Sequence, residues 1–346
     1  MSAQQTILVT GGAGFIGANF ISHFLQAHPH YTIVNLDLLT YAANISYLDE
    51  VADSPRYHFV QGDIGDATLV NSLFHQYDIR GVIHFAAESH VDNSISGPKR
   101  FLETNIMGSF TLLQAAYSYW MESPHIYRAA YQDCRFHHIS TDEVYGSLGD
   151  TGLFSEETAY APNSPYSASK ASSDFLVRAY HHTYGMNVTT SNCSNNYGLK
   201  QHSEKLIPKI IEKALAGESI PIYGDGNNIR DWLYVVDHCK AIDLIYHKGV
   251  SGETYNVGGR NEKTNLEVVD AILCLLDKAS PRSDGASYKT QITFVQDRAG
   301  HDRRYAIDAT KVEQDLGWAA EENFATGIEK TVNWYLQCIT KSSSLV

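Results

Sequence analysis

The segment Ile7-Leu8-Val9-Thr10 runs into Gly11-Gly12-Ala13-Gly14-Phe15-Ile16-Gly17 and then into a helical pattern. Gly12, Gly14 and Gly17 satisfy G-x-G-x-x-G, and Gly11, Gly14 and Gly17 satisfy G-x-x-G-x-x-G. Missing side chains let the backbone turn tightly and come close to a pyrophosphate, while the helix N-terminus offers free N–H groups and the positive end of its dipole. A glycine motif alone is weak evidence. Here it lies between a strand and a helix, and Asp37 ends the next strand, 20 residues beyond Gly17. A carboxylate at that distance accepts hydrogen bonds from an adenosine ribose and repels a 2′-phosphate, which favours NAD over NADP. Leu38 adds no positive charge to offset the repulsion, and Asp63-Ile64, after the third strand, is placed to flank the adenine.

Strand-like runs recur at 6–10, 32–36, 57–61, 81–86, 136–141 and 187–193, with helical stretches at 16–26, 67–75, 104–119 and 166–184. Continuous apolar strands alternating with helices predict an α/β protein with a doubly wound parallel sheet of the Rossmann type. After about residue 190 the rhythm breaks into short elements and turns, which predicts a smaller C-terminal substrate-binding lobe. The division read from this pattern is 1–190, with 232–262 returning to it, for the dinucleotide domain, and 191–231 with 263–346 for the lobe. Residues 120–134 read as an insertion, expected at the mouth of the site or on a dimer surface.

The formal net charge of −13 argues against nucleic acid or an anionic membrane as partner. No apolar run approaches the roughly 20 residues that span a bilayer, and no signal peptide precedes the first strand, so a cytoplasmic protein is expected. Five scattered cysteines read as free thiols, and sixteen histidines show no ligand spacing, so no metal is expected.

Thr141-Asp142-Glu143 falls at the end of a buried strand, where open α/β sheets bind ligands. Tyr166 and Lys170 follow, four apart and hence on one helical face, where a lysine ammonium is expected to lower the phenol's pKa. Hydride transfer needs the Tyr and the Lys. Two further adjacent carboxylates imply proton transfers as well, since burial and mutual repulsion push their pKa values apart. A bound diphosphate would need cations despite the net charge, and Lys205, Arg230, Arg298, Arg303 and Arg304 lie in the second half. Salt bridges to Asp231, Asp297 or Asp302 compete for Arg303 and Arg304 in particular.

With Ala86-Ala87-Glu88-Ser89-His90-Val91-Asp92, Asn195-Asn196-Tyr197-Gly198, Arg230-Asp231-Trp232 and the run from Asp297 to Tyr305, these motifs span nearly the whole chain. The chain resembles the extended short-chain dehydrogenases/reductases that act on nucleotide sugars, and among them the dTDP-glucose 4,6-dehydratases. The resemblance implies a catalytic set of Thr141, Asp142, Glu143, Tyr166 and Lys170. It implies NAD held by Gly11, Gly14, Phe15, Ile16, Gly17, Asp37, Thr40, Asp63, Ile64, Ala86, Ala87, Ser89, Thr104, Tyr166, Lys170 and Asn196. It implies a nucleotide sugar held by Ser89, Thr141, Asn195, Lys205, Leu206, Pro221, Tyr223, Arg230, Asn265, Arg298, His301 and Tyr305, and a homodimer built on the helices 104–119 and 166–184. The implied activity is dehydration of dTDP-glucose to the 4-keto-6-deoxy sugar, as in the making of deoxysugars such as rhamnose. UDP-glucose as substrate, a nucleotide-sugar 4-epimerase and a non-catalytic dinucleotide sensor are the alternatives. Leu38, Asn93, Leu199 and the 120–134 segment depart from the family's usual pattern, and none removes a catalytic group.

Overall fold

Alternation along the first strand decides the architecture. In β1 (Gln5–Thr10) Leu8 enters one buried apolar cluster while Ile7 and Val9 enter another on the opposite face. A strand buried on both sides needs helices on both sides. The computed structural model, which describes residues 5–297 and 302–343, has that arrangement. β1 is joined by β2 (Tyr31–Asp37), β3 (Tyr57–Gln61), β4 (Ile79–His84), β5 (Arg135–Thr141), β6 (Val188–Cys193) and β7 (Thr254–Val257). The seven strands run parallel in the order β7-β6-β5-β4-β1-β2-β3. The order reverses at β1 and β4, so connections leave in opposite directions and open a crevice at the strands' carboxyl ends.

The helices that matter for packing are α1 (Phe15–Ala27), α2 (Ala67–Tyr77), α3 (Ser109–Trp120), α4 (Pro165–Tyr184), α5 (Leu206–Leu215), α6 (Val235–Lys248), α7 (Asn265–Ala279) and α8 (Phe324–Ser343). α1 and α6 cover Ile7, Val9, Ile33 and Ile83. α2, α3 and α4 cover Leu8, Val34, Val82 and Phe136. The lobe has its own core, in which α5, α7 and α8 surround Tyr197, Trp232 and Tyr234. Between α5 and α7 the chain returns to the sheet through α6 and β7.

Two departures from the sequence reading bear on the site. The helix expected at 104–119 begins as a π-helical stretch, Leu102–Gly108, that passes into α3. Asn105 within it donates to the Glu88 carbonyl at 3.0 Å and to Ser169 Oγ at 2.8 Å, and accepts from Glu88 N at 2.9 Å. Widened turns of this kind are frequent at functional sites. The 120–134 segment, instead of reaching the site, forms a small hairpin (Met121–Ser123 with Ile126–Tyr127). It is tied by Tyr131, whose hydroxyl donates to Asp78 at 2.8 Å, just ahead of β4. That is the amino end of the sheet, opposite the crevice.

Phe136, fully buried between the sheet and α3, leaves an unfilled cavity when truncated. Phe136→Ala is expected to lose about 3–5 kcal/mol of stability, read from the midpoint of a urea unfolding curve.

Candidate active site

The first strand-to-helix turn is shaped by close approach. Gly11 has φ +71°, and a Cβ there would stand 2.6 Å from Ala86 N, so the turn is pressed against the end of β4. Asp37 latches it from the other side: Oδ2 accepts from Ala13 N at 2.9 Å and Oδ1 from Leu39 N at 2.8 Å. The expected ribose ligand thus also shapes the glycine turn, which the spacing does not reveal. Burial pushes its carboxyl up, against the pull of those two N–H groups.

A cavity of about 750 Å³ opens over this turn, and every cofactor residue named from the sequence lines it. The donor set fits a dinucleotide, with glycines and a helix N-terminus for the pyrophosphate, Asp37 for the ribose, and Tyr166 and Lys170 at the far end. A second cavity of about 330 Å³ adjoins it, sharing Ser89, Glu143, Asn195, Asn196 and Lys205, and reaches Leu206, Pro221, Tyr223, Arg230, Asn265 and Tyr305 in the lobe. Arg298 and His301 lie outside the described residues. Arg230 is preorganised: Nη1 donates to the Ile229 carbonyl at 2.8 Å, Nη2 to the Asp302 carbonyl at 2.9 Å, and the guanidinium lies 4.3 Å from the Tyr305 ring centroid. Arg304 and Arg303 are spent on ion pairs, with Glu262 at 2.7 Å and Asp150 at 3.5 Å, different partners from those expected.

The catalytic candidates meet where the two cavities join. Thr141 ends β5, and its hydroxyl accepts from Glu143 N at 3.3 Å, starting the short 3-10 turn that carries Asp142 and Glu143. Ser164 caps α4 in a reciprocal box with Ser167, and Pro165 takes the first helical position. That start fixes the register in which Tyr166 and Lys170 both turn inward, 9% and 4% exposed.

Asp142 is 2% exposed, and its Oδ2 meets no hydrogen-bond partner among the described residues. Burial first, then the Glu143 and Asp231 carboxylates, hold it well above the usual carboxylate range against the pull of Arg230 and Thr141, which favours the protonated acid. Asp231 was not singled out for this role; it is fixed beneath the site by Gly259 N at 2.9 Å and Asn261 N at 2.6 Å. Burial lowers Lys170 to about 8. Its ammonium donates to the Ile139 carbonyl at 2.8 Å and stands 3.4 Å from His138 Nε2. Contrary to the expectation that Lys170 lowers the phenol, its net shift is upward: burial first and then the Glu143 carboxylate push Tyr166 well up, against the downward pull of its hydrogen bond with Thr141.

Below Lys170 lies a polar layer the sequence reading missed. Asp174 Oδ1 is 3.1 Å from His138 Nε2, and Oδ2 accepts from Ser140 at 2.7 Å and Tyr160 at 3.1 Å. The signal was present, since Tyr166, Lys170 and Asp174 recur every four residues along one face of α4.

The geometry can be set beside known proteins. Residues 8–331 match the family model described as GDP-mannose 4,6 dehydratase. A curated relative in Xanthomonas campestris pv. campestris (strain B100), dTDP-glucose 4,6-dehydratase, is 56% identical over 96% of this chain and 93% of its own. The chain belongs to the dTDP-glucose 4,6-dehydratase family. The dTDP-glucose 4,6-dehydratase of Streptomyces venezuelae, solved with NAD bound, superposes with a TM-score of 0.87 at 44% identity, covering 96% of this chain and 97% of that one. UDP-glucose 4-epimerase of Thermotoga maritima reaches 0.84 at 26% identity, covering 97% and 100%. Backbone shape therefore hardly separates dehydratase from epimerase. The identity within the family does, and it agrees with the acid pair after β5.

The elevated Asp142 has a stability consequence. Its contribution is whole below the ordinary carboxylate range, where folded and unfolded chains both hold the proton. It is lost as pH rises toward the raised folded value, at about 1.4 kcal/mol per pH unit, because only the unfolded chain releases the proton. Asp142→Asn, which mimics the protonated acid, is expected to melt higher than the unsubstituted protein at pH 8, with the gap closing toward pH 4. Calorimetric melting across that range checks it.

Proposed function

We propose that four side chains of this cleft divide the proton work of converting dTDP-glucose to dTDP-4-keto-6-deoxyglucose. The observation that carries the reading is a buried Asp142, its carboxyl raised by burial, beside Glu143 at the end of β5 and facing the same cavity as Tyr166. Bound in this cavity, NAD would supply the hydride acceptor for C-4 and the donor for C-6, while C-5 takes up a proton in exchange for the one it lost, and its cationic nicotinamide would favour the phenolate. Tyr166 accepts the C-4 hydroxyl proton, and Thr141 positions that hydroxyl. The new carbonyl acidifies the C-5 hydrogen, which Glu143 removes. Asp142 protonates the C-6 hydroxyl as it leaves, so water departs without hydroxide being expelled into a dry site. Lys170 and Asp174 below hold the tyrosine's surroundings, and Arg230, Lys205 and Asn195 receive the nucleotide diphosphate.

The full set of acid, base and Tyr–Lys residues weighs against a non-catalytic sensor, and the relatives weigh toward dTDP-glucose over UDP-glucose. Incubation with each sugar nucleotide, followed by the alkaline absorbance of the 4-keto product, decides between the two. Tyr166→Phe is expected to lose about 100- to 10,000-fold in rate. Asp142→Asn and Glu143→Gln should still form NADH in a single turnover while making product slowly, with solvent deuterium uptake at C-5 falling sharply for Glu143→Gln. Normal product formation by both would reduce the acids to ordinary loop charges.

We further propose a homodimer. Leu102 on the stretch leading into α3, Phe110 on α3 and Phe175 on α4 expose 47%, 38% and 58% of their surface. These are large apolar side chains on two helical segments that pack side by side, the mark of a surface awaiting a partner. Light scattering after size exclusion should give twice the chain mass, and Phe175→Glu should shift it toward monomer.

A further inference from the structure

At the end of α1 remote from the glycine turn, side chains converge that take no part in the cleft. His23 lies on α1 and His28 is its C-terminal cap. Asp243 and His247 lie on α6, one turn apart and hence on one face. His28 Nε2 is 2.8 Å from Asp243 Oδ1, His247 Nδ1 is 2.9 Å from the same oxygen, and His23 Nε2 is 3.2 Å from Asp243 Oδ2. The ligating atoms of His28, Asp243 and His247 all lie within 4.8 Å of one another. We propose that this cluster binds a divalent first-row transition ion such as zinc, with His28, His247 and Asp243 as ligands and His23 paired with the second carboxylate oxygen of Asp243.

The donor chemistry selects the ion: imidazoles with one carboxylate suit zinc, cobalt, nickel or copper, whereas magnesium and calcium want oxygen. The spacing suits it too. Ligands at 2.0–2.1 Å in tetrahedral array stand about 3.3 Å apart, and the nitrogen-to-oxygen separations are already 2.8–3.2 Å. Binding therefore asks the side chains to rearrange around the ion, from ligating atoms that already lie within 4.8 Å of one another.

The rings are held from behind. His247 Nε2 is 3.2 Å from the Tyr31 hydroxyl, and Nδ1 is 2.9 Å from both the Asp243 carboxylate and the Asp243 backbone carbonyl, contacts that an ion would replace. The His28 ring lies 4.6 Å from both Phe24 and His247. An entry path exists, since the side chains of His23, His28 and Asp243 are 25%, 28% and 14% exposed. The sequence shows no ligand spacing because the donors come from segments more than 200 residues apart.

α1 is 13 residues long, so the cluster stands about 20 Å from the glycine turn. An ion there would join α1 to α6, the two helices covering one face of the sheet, without touching the reacting groups.

The test uses full-length protein carrying its NAD, stripped of metals with a chelator. Zinc titrated by calorimetry should bind at one ion per chain and raise the melting temperature by mass action. Cobalt should give the intense visible bands of tetrahedral coordination. Asp243→Asn, and His28→Gln combined with His247→Gln, should each weaken zinc more than about 100-fold, beyond what loss of an outer partner costs, with turnover at saturating substrate unchanged as the check on folding. His247→Gln alone, at the most exposed position, serves if either of those fails to fold. Absence of saturable binding overturns the proposal, leaving a set of ion pairs. Zinc affinity that survives the substitutions overturns it equally, since the ion then sits elsewhere.

Discussion

Parallel hydrogen bonding among β1, β4, β5 and β6 brings the ends of four strands to one edge, and nearly everything chemical in the molecule follows from that. Gly11, Ala86, Thr141 and Cys193 stand at or just beyond those ends, although 182 positions separate the first from the last. Because the chain turns away in opposite directions after β1 and β4, nothing of the sheet itself fills the crevice between them. The lobe roofs what remains, so the floor carries the catalytic candidates and the roof the polar and cationic side chains that line the second cavity. Arg230 suits that task because its guanidinium is oriented by carbonyls and an aromatic face.

Burial is the second organising force. It acts on three ionisable groups of this region in the directions their charges dictate: Asp142 well up, Asp174 to about 6, Lys170 down to about 8. Lys170 and Asp174 offset part of each other's cost, one ammonium against one carboxylate. Asp142 faces two further carboxylates, and the Arg230 guanidinium and the Thr141 hydroxyl offset only part of that. It resolves the strain by keeping its proton, which is the form an acid catalyst needs at the start of a turnover.

The parts legible in the sequence were those whose signal is local. The glycine turn, the Ser164-Pro165 helix start and the acids after β5 each depend on neighbours within a few residues, so motif and spacing suffice. What escaped depends on approach through space. Asp37's grip on Ala13, Asp231 beneath Asp142, the placement of the 120–134 hairpin at the far edge and the histidines of α1 gathered around Asp243 all require the sheet to be assembled first. The misjudged effect of Lys170 on Tyr166 is of the same kind. Four-residue spacing places both side chains on one face of α4, but the ammonium donates to the Ile139 carbonyl of β5, which only the assembled sheet brings there.

The path of the chain between its two parts has a consequence for how such a protein can be cut or rearranged. The lobe is assembled from segments on both sides of α6 and β7, and α6 supplies Val235, Cys239, Ile242 and Tyr246 to the face of the sheet that α1 also covers. A chain ending where the lobe begins would lose the outer strand β7 and leave Ile7, Ile33 and Ile83 without part of their cover. The dinucleotide half is therefore not a detachable module. Lobe and sheet are interleaved like two halves of one lacing, so substrate preference can change by remodelling the turns of the lobe but not by exchanging it whole through a single crossover.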